Sequence, residues 1–327
     1  MSTNQRDGGP LRRAVEHNRK RIPRYSKWIL AAVCLWLAGT SAHAQNRGVY
    51  PLGMSAVNSG VTPPPGFTYA GQLIYYSRDE AKDNDGNTLP VKGQNYLLLN
   101  LNTFAWVSEW TLLGGAHYSA AATLPFAKND LTSDINGNIS GGAGFADSYY
   151  MPLILGWSFD RVAVRAIYGF LAPTGHFVAG GSDNVGSGYW THALSSGQTF
   201  YLTQSKRLVL SAFEMYEWHT TQQGTGTRPG DTLDLDYSLM AALPERENVR
   251  LQVGLVGYGA WQTTAKTGPQ ISLAESQDRY VVNALGLAAN AAFPQHRASL
   301  GLRFFKEFSN RSTFQGYSVQ LSGSIGL

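Results

Sequence analysis

The chain of 327 residues contains one cysteine, Cys34, and charged residues make up only 15% of it. No stretch reaches 18 consecutive apolar residues, so no helix of the length a bilayer demands is encoded. The longest apolar run is "WILAAVCLWLAG", Trp28–Gly39, which is too short to span the hydrocarbon as a helix. Eight basic side chains, Arg6 to Lys27, precede it, and Ala42-His43-Ala44 follow. That order is a secretory leader cut after Ala44. Cys34 lies inside its apolar core, where a lipoprotein cleavage site does not fit. The exported remainder therefore has no thiol, which excludes disulfides and cysteine-metal sites although its destination is oxidising.

Basic excess is also missing once the leader is set aside. The whole chain has 26 Lys and Arg against 22 Asp and Glu; residues 1–44 hold 8 and 2 of these, leaving 18 against 20. A net charge of −2 offers nothing to nucleic acid. What is abundant is Tyr (17), Phe (14) and Gly (36), a composition of strands and turns.

Alternation with period two predicts twelve strands, at 67–76, 96–106, 116–126, 147–157, 162–172, 189–202, 208–218, 233–241, 249–261, 279–291, 298–308 and 315–327. In "LDLDYSLMA" Leu233, Leu235, Tyr237 and Leu239 oppose Asp234, Asp236 and Ser238. Each segment is near the ~9–11 residues with which a tilted strand crosses a bilayer. Connections alternate between long, such as 127–146 and 173–188, and short, such as "SFDR" and "TQSKR"; only the last outer connection, "SNRSTFQ", breaks the pattern by being short. Sorting by parity marks an outer-membrane barrel with long loops outside and short turns in the periplasm. The six tryptophans beyond the leader, Trp106, Trp110, Trp157, Trp190, Trp218 and Trp261, fall at or just past strand ends, as interfacial girdles require. The closing "YSVQLSGSIGL" turns Tyr317, Val319, Leu321 and Ile325 to lipid and must seal against the first strand. The fold expected is an all-β, closed antiparallel transmembrane barrel of about twelve strands (range 10–14), over 67–327. Residues 45–66 precede it as a periplasmic or lumenal segment. It is either a tether or a plug stiffened by Pro63-Pro64-Pro65.

The stretches "GVTPPPGFTYAGQLIYY", "GFADSYYMPLILGW", "APTG" with "NVGSGYWT", "RPGD", "GLVGYGAWQTT" and "KEFSNRSTFQGYSVQL" together resemble the meta-pathway phenol-degradation family of outer-membrane proteins. The resemblance covers nearly all of residues 60–327. It implies a barrel associated with catabolism of aromatic or other hydrophobic compounds, acting as an uptake channel. It also implies contact with outer-membrane lipid and lipopolysaccharide and with the barrel assembly machinery. That machinery usually reads a terminal aromatic, and Leu327 departs from it.

Few residues suggest chemistry. His117 and Ser119 in "AHYSAA" have the His-x-Ser spacing of outer-membrane lipases, yet Ala120 stands where those enzymes carry Asn, and both side chains are expected in the lumen. "DNDGN" (83–87) lacks the glycine and closing glutamate of a calcium loop, and "GGAGFADS" lacks the lysine of a phosphate loop. No catalytic residue, cofactor or metal is expected. Parity instead turns Arg165, Arg250 and Arg303 inward together with Glu214, Asp234, Asp236 and Glu307, since a charge facing lipid at mid-depth costs roughly 2–4 kcal/mol. Tyr76, Tyr96, Phe104 and Tyr258 are assigned to the same side as an apolar path. These eleven residues are the expected solute-binding set. The alternatives to an uptake channel are a porin without hydrophobic preference, or an outer-membrane hydrolase.

Overall fold

In the computed structural model, residues 48–133, 137–245 and 248–327 are described, without the side chains of 133 and 137–140. The predicted leader lies outside them. Thirteen strands form: β1 (Gly66–Ala81), β2 (Gly93–Leu112), β3 (Ala116–Ser133), β4 (Gly137–Phe145), β5 (Ser148–Ser158), β6 (Val162–Ala172) and β7 (Thr191–Tyr201), then β8 (Leu208–His219), β9 (Thr232–Ala242), β10 (Arg250–Gln262), β11 (Val281–Phe293), β12 (Ala298–Glu307) and β13 (Phe314–Gly326). Every neighbouring pair is antiparallel, and β13 pairs with β1 from Thr68↔Gly326 to Ala81↔Phe314, which closes the sheet.

The ring has twelve members, because β4 and β5 act as one interrupted strand. β3 pairs with β5 from His117 to Thr123 and with β4 from Phe126 to Ser133, the break falling at Ala146 and Asp147. Residues 127–133 and 137–145, within the span expected as a loop, are thus two antiparallel strands that prolong the wall outward. Past Thr123, β3 keeps β2 on one edge and takes β4 in place of β5 on the other, so both ladders continue.

Alternation sorts the faces. On β13, Tyr317, Val319, Leu321 and Ile325 are exposed while Ser318 and Gln320 are buried. On β9, Asp234, Asp236 and Ser238 are buried, and Leu233 and Leu239 are exposed. A surface apolar outside and polar within suits hydrocarbon around the wall. Trp106, Trp110 and Trp157 lie toward the short-turn end, and Trp190, Trp218 and Trp261 toward the long-loop end. The Trp157 indole N–H donates to the Leu113 carbonyl at 3.0 Å, giving the girdle residue its polar partner.

At the long-loop end the connections are tied to one another. Asp147 accepts from the Gly175 and Ser187 main-chain N–H groups. Gln222 bonds the Ser187 carbonyl, Thr263 donates to Asp231, and Ser312 to Asp83. The mouth is therefore framed by a hydrogen-bonded rim.

Candidate functional site: the lumen and its plug

The alternation of the wall aims a mixed set of side chains inward, and the chain ahead of β1 fills the space between them. Residues 48–62 run along the lumen from the short-turn end toward the mouth. Near the bottom, Arg297 donates to the Pro65 carbonyl at 3.1 Å. Higher, Arg165 Nε donates to Ser59 O at 2.7 Å, Gly60 N to Thr199 Oγ1 at 3.0 Å, and Asn58 Nδ2 to Gln252 Oε1 at 3.1 Å. At mid-height the Leu52 carbonyl accepts from Tyr76 Oη (3.1 Å) and Gln320 Nε2 (2.8 Å). Near the top, Val49 N donates to Glu217 Oε2 at 3.0 Å and Gly48 N to Tyr280 Oη at 2.7 Å. Over 48–62 the segment contacts inward-facing side chains of the wall.

Its main anchor is Asp236. That carboxylate accepts from Tyr50 Oη at 2.6 Å, from Gly53 N at 2.8 Å and from Ser55 N at 3.0 Å. Burial, and then the neighbouring carboxylate, raise the Tyr50 phenol well above its ordinary value, so it stays a donor. The Tyr50 ring stacks on Phe213 at 5.4 Å between centroids, and Tyr50, Leu52 and Ala56 are buried in the same cluster as Met240, Val256 and Phe305. Close passage is permitted by glycine at several places, two of them on either side of the contact. Gly53 has φ +84° and lies where a Cβ would strike the Phe305 ring. Gly197 of β7 faces Ser59 O so closely that a Cβ there would overlap it. Among the described residues the plug makes no main-chain to main-chain hydrogen bond with the wall. It is held by side chains alone.

Of the expected binding residues, Tyr76, Arg165, Asp234, Asp236, Tyr258, Arg303 and Glu307 point into this interior. Tyr258 donates to Glu307 Oε1 at 3.1 Å and packs on Phe305. Glu307 also accepts from Asn310 and Gly316 N. Arg78 lies over the Tyr76 ring, 4.5 Å from its centroid. Among the described residues, Nε and Nη1 of the buried Arg303 and Oδ2 of Asp234 have no hydrogen-bond partner.

Four expectations are corrected. Tyr96 and Phe104 face outward on β2, Phe104 being 51% exposed and lining an apolar groove of about 390 Å³ on the lipid side with Phe67, Trp106 and Phe170. Glu214 also faces outward, where Ser196 and Gln198 donate to its Oε2 at 2.8 and 2.9 Å. These two neutral donors are what let a carboxylate stand on that surface. Arg250 has inward parity but begins β10 at the short-turn rim, is exposed, and pairs with Glu245 at 3.1 Å. A missed signal would have corrected three of these. Trp106 must face the lipid interface, so Phe104 and Tyr96, of equal parity on one strand, face out too. Trp218 likewise puts Glu214 outside and Glu217, which sequence reasoning passed over, inside. Glu217 is fully buried and accepts from Thr232 as well as Val49.

His117 and Ser119 are inward but do not act together. His117 Nδ1 lies 2.9 Å from the Ser108 carbonyl, and Ser119 Oγ is buried without a hydrogen-bond partner among the described residues.

These features define a class: an outer-membrane-type β-barrel of twelve strands whose interior is occupied by its own N-terminal segment. The chain belongs to the family described as "Putative MetA-pathway of phenol degradation", whose model matches residues 78–322. Among solved structures it is similar to the COG4313 outer membrane channel from Pseudomonas putida F1, with a TM-score of 0.64 at 14% identity, covering 83% of this chain and 98% of that one. At that identity the likeness establishes the fold. The β domain of a Bordetella autotransporter superposes with a TM-score of 0.48 at 10% identity, over 80% of this chain and 100% of that one. A channel described as a monoaromatic hydrocarbon channel, CymD, gives 0.38 at 9% identity, over 80% and 89%. No curated protein sequence matches the chain.

Proposed function

We propose that this protein is an outer-membrane channel for entry of small hydrophobic or aromatic compounds destined for catabolism, closed at rest by residues 48–62. The observation that carries the reading is the manner of closure. The plug is bonded to the wall by side chains and joins it covalently only through the Pro63-Pro64-Pro65 lead into β1, so it can leave without opening any ladder of the ring. Family membership and a lumen carrying Tyr76, Phe213, Tyr258 and Phe305 support an aromatic cargo. The lipopolysaccharide leaflet holds such solutes back, and a partly apolar lumen gives them a route. In this reading the leader is removed after Ala44, the barrel assembly machinery inserts the remainder, and the protein acts as a channel rather than as an enzyme.

The test is deletion of 45–62 in the exported chain, reconstituted in planar bilayers. Conductance rises several-fold while the folded barrel still migrates faster than its heated form. Unchanged conductance would refute the plug. Solute-dependent reduction of the current by aromatic compounds supports the cargo, and a current indifferent to them favours a general porin.

A further inference from the structure

Tyr50 does more than fill space. Its side chain is a para-substituted phenol held inside the lumen by two wall residues on different strands, Asp236 of β9 accepting from the hydroxyl and Phe213 of β8 stacking on the ring. Cross-strand neighbours fix that pair, since Phe213 and Asp236 stand opposite each other in the β8–β9 register. If the plug withdraws, Asp236 loses all three of its plug donors at once and the Phe213 face is uncovered. A carboxylate there has acceptor capacity to refill. A small aromatic molecule bearing a hydroxyl restores both the stacking and a donor; one without a hydroxyl restores only the first.

We infer that Asp236 and Phe213 form a phenol subsite, that Tyr50 is its tethered occupant, and that free phenols open the channel by taking Tyr50's place. The inference rests on the uptake reading and names the solute class for the same lumen. Binding selects the undocked state, because the subsite is vacant only there. A tethered group competes at an effective concentration on the order of millimolar for a short flexible link, so opening requires phenol in that range.

The experiment uses the exported chain in planar bilayers, with phenol, and with toluene as the hydroxyl-free probe. Phenol at millimolar concentration raises the open probability of the wild type at least tenfold more than toluene does. Tyr50→Phe, which keeps the ring and loses the hydroxyl, opens at lower phenol concentration. Tyr50→Ala reverses the sign: it is partly open without solute, and phenol closes it by filling the vacated space beneath the docked plug. Equal action of phenol and toluene on the wild type, or opening of Tyr50→Ala by phenol, overturns the inference. Faster mobility of each unheated variant on gels verifies that its barrel has folded. Phenol flux through the chain lacking 45–62, in vesicles with a lipopolysaccharide outer leaflet, separates the two failures. Flux above that of empty vesicles leaves the uptake reading standing when the subsite fails, and flux equal to them ends the uptake reading itself.

Discussion

Asp236 gathers three donors from a segment 181 to 186 residues earlier in the chain, and no other single wall side chain holds the plug so fully among the described residues. A hydrogen bond to a charged group contributes about 1.5–3 kcal/mol. Replacing Asp236 by Ala therefore weakens docking by about 3 kcal/mol or more, roughly a hundredfold in the undocked fraction. Residues 45–327 contain no cysteine, so in a chain that begins at residue 45 Leu52→Cys is a clean probe. Its maleimide labelling should accelerate by that order in the Asp236→Ala background, and an unchanged rate would show that the carboxylate is not the anchor. Glu214 makes the opposite case. It sits outside the ion path beside Ser196 and Gln198, so Glu214→Leu leaves single-channel current and ion selectivity as they were. A shift in selectivity would put this carboxylate in the lumen after all.

At the scale of elements, the strands were legible because hydrocarbon outside and a polar interior impose a period of two, and each of the twelve expected segments overlaps a strand of the ring. Parity was less secure on β2 and β8. The continuous apolar run "YLLLNLNTFAW" does not distinguish its faces, and the two glutamates of β8, Glu214 and Glu217, have opposite parity and cannot both point inward. The plug was illegible in detail for another reason. Its turns, closed by Met54 N to Pro51 O and Val61 N to Asn58 O, repeat no pattern, and its hydrogen-bond partners are dispersed over seven strands and Tyr280, from Tyr76 to Gln320. The element is nonetheless testable apart from the wall. In Gly197→Leu the new side chain occupies the space of Ser59, while β7 keeps its ladders to β6 and β8. Conductance should approach that of the 45–62 deletion, with the folded barrel's gel mobility retained. A closed channel in this variant would mean that the plug adjusts around the obstacle.

For the molecule as a whole, long connections on one side and short turns on the other define an orientation, with both ends of the ring, Gly66 and Gly326, at the short-turn side. A cysteine placed at Ser312, in the connection ahead of β13, should react with a membrane-impermeant maleimide on intact cells. One at Leu113, in the turn after β2, should react only once the outer membrane is permeabilised. The reverse pattern would invert the barrel and, with it, the direction in which the plug fills the lumen.

Sequence alone determined that this chain is a barrel and about how many strands it has, because a two-residue period, interfacial tryptophans and loops sorted by parity are consequences of the bilayer that recur along the chain. Only the tertiary structure decided that residues 48–62 lie inside, and that Asp236, Phe213 and Glu217 are what they meet. Those contacts depend on strand register across the ring and on a chain folding back through it, and neither leaves a local periodic trace.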